Sequence, residues 1–262
     1  MTPEQELRAH TPTGPELIAG VTLKDAKRAS KWPAYCDMTQ SITGLILGLF
    51  LFCHMAFTSS IQLGKDTFWN LIQISGGTPV FGSEQAWLHV VFLGFITLCV
   101  ILHALCALRR FPTSYKQFRD VNAHITMLHH SDSSLWRIQF VTAVILTAFV
   151  FPHLMSMLCH PSGLDPNLSS VHTFTMGLDW TLLFLIVTEL HGMIGLYRLA
   201  VKWDVVKGRC NGLRKGMLIV ALAMIACGSV TAYTFYSNGK ALVTSEQAAT
   251  HYTPTNVWSI NK

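Results

Sequence analysis

The sequence predicts an all-α protein, an integral membrane bundle of five transmembrane helices. Composition is the first reason. Charged residues are 13% of the 262-residue chain and hydrophobic ones 50%, whereas an ordinary soluble domain carries about 25% charge. Mean hydropathy is +0.38. The second reason is five apolar stretches that each reach the roughly 20 residues needed to cross a bilayer. The third is that basic residues gather at alternate span ends. A soluble fold of this size needs more charge to cover its surface, and a disordered chain would be far less apolar. No collagen-like or Gln/Asn-rich bias is present.

In order, the stretches run over residues 42–63, 86–108, 135–158, 178–201 and 217–236. Continuous apolar runs suit helices, which satisfy every backbone group within lipid. The alternation of an outer-membrane barrel is absent. Residues 1–37 are polar, and the first apolar run begins near Met38 and is too long for the core of a cleaved signal peptide. The expected organisation is an N-terminal arm over 1–37, a five-helix domain over 38–236 and a C-terminal tail over 237–262.

One side of the bundle carries Lys24, Lys27, Arg28 and Lys31, then Arg109, Arg110, Lys116, Arg119 and Arg137. Arg198, Lys202, Lys207, Arg209, Arg214 and Lys215 fall on that same side, against Lys65 and Lys240 on the other. The positive-inside rule makes the N-terminus cytoplasmic and puts the C-terminus outside. These charges hug the span ends, so topology explains them better than nucleic-acid binding does. Trp32, Trp136 and Trp203 sit at the basic interface and Trp69, Trp87 and Trp180 at the other, as an aromatic belt requires. The seven cysteines (36, 53, 99, 106, 159, 210 and 227) show no C-x-x-C spacing. They read as small apolar residues rather than zinc, redox or covalent-haem sites.

Polar groups inside a membrane are costly and by default mark function. His54, His103, His153 and His191 lie well inside the first four spans, one on each. A lone buried histidine is more often a hydrogen-bonded structural residue, but four on four helices are hard to dismiss. Counted from the basic end, His103 is about five residues in, His191 about ten, His54 about twelve and His153 about eighteen. Of three pairings, depth favours His103 with His191 and His54 with His153, the two couples standing roughly 11 Å apart at ~1.5 Å per residue. Two facing imidazoles in an apolar bundle make a site for haem b, one nitrogen on each face of the iron. Such a six-coordinate iron carries electrons only, and two haems stacked across the bilayer make an electron path.

Gly44, Gly48, Gly192 and Gly195 supply either room for a porphyrin or plain helix packing. Structural zinc needs four ligands at one point, which the spread in depth forbids. Glu189, mid-span and two residues before His191, points to another helix face. It reads as a proton relay or quinone-proton acceptor, or else as a protonated carboxyl bonded between helices. His89, at the outer edge of the second span, is a weaker candidate for a quinone headgroup. His10, His124, His129, His130, His160, His172 and His251 lie in polar segments.

The chain resembles the cytochrome b subunit of dihaem menaquinol:fumarate reductases and the related succinate:menaquinone reductases. The resemblance covers residues 38–236. It rests on Q-S-x-T-G-L (40–45) with the run ending at His54, H-A-L-C-A-L-R-R-F-P (103–112), H-x-D-S-S-L-W-x-I-Q (130–139) and E-L-H-G-M-I-G-L-Y-R-L-A-V-K-W (189–203). It implies a five-helix anchor enclosing two haem b groups, His103 and His191 ligating the cytoplasmic one and His54 and His153 the outer. It implies that Glu189 belongs to a proton path, and that Gln40, Ser41, Trp136 and Lys202 are counterparts of the haem-propionate contacts. A lysine there neutralises propionate charge.

Function follows as an expectation. In a bacterial cytoplasmic (inner) membrane, the subunit oxidises menaquinol and feeds electrons to an iron–sulfur and a flavoprotein subunit on the cytoplasmic face, where fumarate becomes succinate. The dicarboxylate site belongs to another subunit. A dimer of heterotrimers is compatible with this reading, and no nucleic-acid partner is expected. The family's outer quinone site uses a glutamate of the first periplasmic loop, but residues 64–82 hold Asp66 and no glutamate before Glu84. Asp66, Glu84, Gln62 and His89 are therefore all candidates. The alternatives are the same complex run as a succinate:menaquinone reductase, a haem b anchor for a hydrogenase or formate dehydrogenase, and a haem-free transporter using the histidines as proton relays.

Overall fold

A computed structural model describes residues 31–128, 131–160, 164–206 and 211–258. Among them all regular structure is helical. In chain order the helices are α1 (Trp32–Ser59, continued by a 3-10 turn, Ser60–Leu63), α2 (Lys65–Ser75), α3 (Thr78–Phe81) and α4 (Ala86–Leu108). They continue as α5 (Tyr115–Leu128), α6 (Ser131–Cys159), α7 (Pro166–Met176), α8 (Leu178–Lys202) and α9 (Asn211–Thr244). Lys24, Lys27, Arg28, Lys207 and Arg209 of the basic side lie outside the described residues, as do His10, His129, His130 and Cys210.

Five helices, α1, α4, α6, α8 and α9, are long and apolar enough to cross a membrane. The chain is a multi-pass membrane protein, and its outward faces are apolar for that reason. Val91, Leu105, Ile219 and Tyr233 are each at least 60% exposed, and lipid is their solvent. Two helices outrun their apolar windows: α1 starts at Trp32 rather than near 42, and α9 runs from Asn211 to Thr244 rather than from 217 to 236. Hydropathy measures the hydrocarbon slab, but a helix keeps its own hydrogen bonds past it. At its C-terminal end α9 gains packing instead. A Cβ at Gly239 would collide with the Ser170 carbonyl of α7, so glycine lets the two backbones touch.

The connections after α1 and α6 are also structured. The helices α2, α3 and α7 are too short for a count of membrane-length apolar stretches to find. α7 starts on Asp165, whose Oδ1 accepts from the amides of Asn167 (2.7 Å) and Leu168 (3.1 Å), followed by Pro166 in the first turn, where no amide is needed. Ile61, Phe68, Ile72 and Phe235 form a small buried core there.

Contacts divide the chain into Met1–Thr39 and Gln40–Lys262. The described part of the first unit is the opening of α1, with Trp32 and Tyr35 exposed and Cys36 buried. In the second unit α9 packs on α7 and α8, α8 on α6, and α6 on α4.

Candidate functional site

Four spans each bring one histidine to the interior, and the rings meet in two couples. His54 on α1 lies 6.1 Å from His153 on α6 between ring centroids, the planes at 79°. His103 on α4 lies 6.5 Å from His191 on α8, the planes at 86°. These are the partners that the depth count favours. Two imidazole nitrogens bound at about 2 Å to opposite sides of one metal ion put their ring centroids about 6 Å apart. Both couples fit that geometry, so each can hold a haem iron between its two rings. Among the described residues no group of three or more His, Cys, Asp or Glu side chains gathers at one point for a bare metal ion.

The two couples have different surroundings. At the inner couple, Thr43 Oγ1 is 3.3 Å from Nδ1 of His103, and the Gln40 carbonyl also bonds to that ring. Across the couple, Thr142 Oγ1 is 3.4 Å from Nδ1 of His191, and the Gln139 carbonyl is 3.2 Å from the same nitrogen. At the outer couple the neighbours are aromatic: Phe50 is 5.3 Å from His54 and Phe184 is 5.3 Å from His153. Pro152, inside α6, removes one helical hydrogen bond beside His153.

A Cβ at Gly44 would stand 3.0 Å from Cε1 of His103, so this glycine clears the inner ring. Gly48 faces Leu196 and Gly192 faces Leu51, which is helix packing. Glu189 is 0% exposed, and among the described residues neither carboxyl oxygen has a hydrogen-bond partner. Lys202 Nζ donates to Ser41 Oγ at 2.9 Å. Trp136 stacks on Phe140, 5.6 Å between rings.

Comparison with known proteins decides the family. Residues 116–231 match the model of the succinate dehydrogenase/fumarate reductase transmembrane subunit. The fumarate reductase cytochrome b subunit of Helicobacter pylori is 36% identical over 209 residues, 79% of this chain and 82% of that one. The subunit of the same name from Wolinella succinogenes is 34% identical over 241 residues, 86% and 89% of the two chains. The chain belongs to the fumarate reductase cytochrome b subunit family.

In this cytochrome b subunit the candidate quinone residues separate into three environments. Asp66 is engaged by the C-terminal tail: Oδ1 accepts from Tyr252 Oη and the Thr255 amide, both at 2.9 Å, and Oδ2 from Thr255 Oγ1. Those bonds, led by the Thr255 hydroxyl, hold its carboxyl below the ordinary value. Gln62 donates to Thr231 Oγ1 at 2.6 Å, tying the end of α1 to α9. Glu84 and His89 sit together. Glu84 Oε2 accepts from Gln73 Nε2 at 2.7 Å, and its Oε1 is 3.6 Å from His89 Nδ1. Nε2 of His89 is 3.0 Å from Ser75 Oγ. Glu84 also borders a cavity of about 330 Å³ with Trp69, Gln73, Leu164 and Tyr252. A Cβ at Gly76 would run into the Glu84 side chain, so Glu84 fills the side-chain space of position 76.

The threonines escaped the residue-by-residue reading of the sequence, yet it held their signal. Residues 40–54 and 139–153 share Gln, Thr, Ile, Leu, Phe, Phe and His at equivalent positions, a Q-x-x-T-x10-H pattern in both α1 and α6. Residues 102–110 and 190–198 share L-H-x4-L-x-R in α4 and α8. Self-comparison of the chain exposes this repeat; scanning for chemically unusual residues does not.

Proposed function

We propose that this subunit is the dihaem membrane anchor of a quinol:fumarate reductase. His54 and His153 hold an outer haem b, and His103 and His191 an inner one. When bound, each haem supplies a one-electron ferric/ferrous couple. The chain's own residues do the rest. The histidines fix where the two redox centres stand across the bilayer, while Ser41, Gln40, Trp136 and Lys202 receive the inner propionates. The apolar walls keep water from both irons. Glu84 and His89 accept protons from menaquinol at the outer face, beside the cavity that takes its headgroup. Glu189 carries a proton within the membrane.

The N-terminus faces the cytoplasm of a bacterial cell and the C-terminus the periplasm. An iron–sulfur and a flavoprotein subunit dock on the cytoplasmic face, and fumarate is reduced on those partners. The relatives' shared name supports fumarate reductase over hydrogenase or formate dehydrogenase. The same scaffold also serves succinate oxidation by menaquinone, since neither couple encodes direction.

The observation that carries the reading is the pair of histidine couples, four helices meeting two by two at iron-spanning distance. A pyridine haemochrome assay with a redox titration tests it, on wild type and on His→Ala variants at 54, 103, 153 and 191. Two haem b per chain are expected, with His54 and His153 governing one potential and His103 and His191 the other. Folded wild-type protein without haem would overturn it and favour a proton-relay transporter.

A further inference from the structure

The first four spans repeat a two-helix unit, and what repeats is more than the histidines. In each copy a threonine stands three residues after the glutamine and eleven before that helix's own histidine. It does not serve that histidine. Thr43 of α1 meets His103 of α4, and Thr142 of α6 meets His191 of α8. Both threonines are buried, at 5% and 6% exposure. We propose that Thr43 and Thr142 are positioning residues of the inner couple, each orienting through Nδ1 the histidine of a neighbouring helix.

Hydrogen-bond polarity supports this. Thr142 Oγ1 donates to the carbonyls of Ile138 (2.8 Å) and Gln139 (3.1 Å), and Thr43 Oγ1 to that of Gln40 (3.4 Å). With its proton committed to its own helix, each hydroxyl offers a lone pair to the ring. A neutral imidazole has one N–H; at His191 the Thr142 hydroxyl and the Gln139 carbonyl both stand beside Nδ1 and place it there, and at His103 the Thr43 hydroxyl does so. Nε2 is then the nitrogen left for a metal. Other span threonines, such as Thr97 and Thr147, return their hydroxyls to their own helices and meet no histidine in doing so. That common arrangement accounts for the back-bond but not for the ring contact on both sides of one couple.

The outer couple supplies an internal control. Among the described residues no hydrogen bond reaches the rings of His54 or His153, which lie against Phe50 and Phe184. The repeat therefore braces one couple only. An acceptor on Nδ1–H makes the imidazole a stronger donor through Nε2 and favours ferric over ferrous iron. Removing the acceptor shifts the balance toward ferrous at that centre and leaves the other untouched.

This inference rests on the haem reading above, and its test separates the two. The complex is purified whole with Thr43→Val, Thr142→Val, the double variant, and Thr→Ser at both positions. Haem content, both midpoint potentials and the ferric low-spin EPR spectrum are recorded, and the inner haem is identified as the one missing from His103→Ala. Valine keeps the threonine shape without the hydroxyl; serine keeps the hydroxyl. The expected result is a rise in the inner potential with valine, by up to tenfold in the ferric/ferrous equilibrium constant, or about 59 mV for one electron. The outer potential stays fixed, and serine restores the wild-type value.

Unchanged potentials in the valine variants at full haem content overturn the proposal, as does a shift confined to the outer haem. If valine loses the inner haem altogether, retention with serine supports the proposal and loss with serine refutes it. A wild-type complex without haem refutes instead the function on which it rests.

Discussion

Lys202, at the last turn of α8, donates from Nζ to Oγ of Ser41 on α1 at 2.9 Å, and Ser41 is buried. The bond joins α1 to α8, and it lies two residues from Thr43. A cation is thereby held on the α8 C-terminal side of the inner couple. A fixed positive charge favours an added electron nearby. Lys202→Met is therefore expected to lower the inner haem's midpoint potential, by up to tenfold in the equilibrium constant or about 59 mV. Redox titration checks it, and a shift of the outer centre instead would contradict this location for Lys202.

The ring planes lie at 79° in the outer couple and 86° in the inner. Near-perpendicular axial imidazoles leave two of the iron d orbitals close in energy. If each couple holds a haem, as proposed, both ferric centres are expected to give highly anisotropic low-spin EPR signals, each with one dominant g value. A well-resolved rhombic spectrum from either centre would mean that its rings turn parallel on binding haem.

Glu189 is fully enclosed, with both carboxyl oxygens lacking a hydrogen-bond partner among the described residues. A group kept only for packing tolerates its amide. Glu189→Gln is expected to leave haem content and spectra intact while cutting menaquinol-linked fumarate reduction by about 100-fold, within the range of a lost proton-transfer group. Fumarate reduction from an artificial dye that bypasses the membrane subunit serves as control. Equal rates in both assays would assign Glu189 to structure alone.

Asp66 anchors the C-terminal tail through Tyr252 and Thr255, and the bonds from Thr255 depress its carboxyl. A depressed folded value means that the stabilisation is complete above the unfolded carboxylate value of about 3.9 and is lost as pH falls through the folded one. Hydrogen exchange of residues 250–258 should therefore be equally slow from pH 5 to pH 8 once corrected for intrinsic rate. It should speed up under strong acid, and Asp66→Ala should speed it up at every pH. A change in protection between pH 6 and 7 would contradict Asp66 as the controlling group.

Gly239 of α9 approaches the Ser170 carbonyl of α7 so closely that any side chain there collides with backbone. Overpacking of this kind costs about 1–3 kcal/mol. Gly239→Ala is expected to lower the melting temperature of the detergent-solubilised protein without changing haem spectra. An unchanged melting temperature would show that α7 and α9 separate more freely than their contact implies.

The fold is legible in the chain where physics leaves few options. An apolar stretch of membrane length has one stable backbone solution in lipid, so the five spans follow from hydropathy alone. Each histidine in such a stretch is conspicuous because its burial is costly. The helix ends were less legible: α9 continues past residue 236 to Thr244 because it packs on α7, a gain that no count of apolar residues records. The short helices α2 and α7 likewise form through tertiary contact, α7 with the Asp165 cap besides.

Within the site, the candidate side chains stand out along the chain without any fold, one histidine on each of four spans and a carboxyl on the fourth. Depth along each helix ranked the pairings, since the rise per residue is fixed. Rotation about the helix axis, and which neighbour each face meets, are set by packing. That Thr43 faces His103, that Thr142 faces His191, that the tail occupies Asp66 and that Glu84 fills the space beside Gly76 follow from packing. Hydrogen bonds between distant segments depend on where the helices are pressed together, and their partners lie up to 189 residues apart in the chain. Local sequence specifies the helix and its cargo; the contacts between helices specify what that cargo touches.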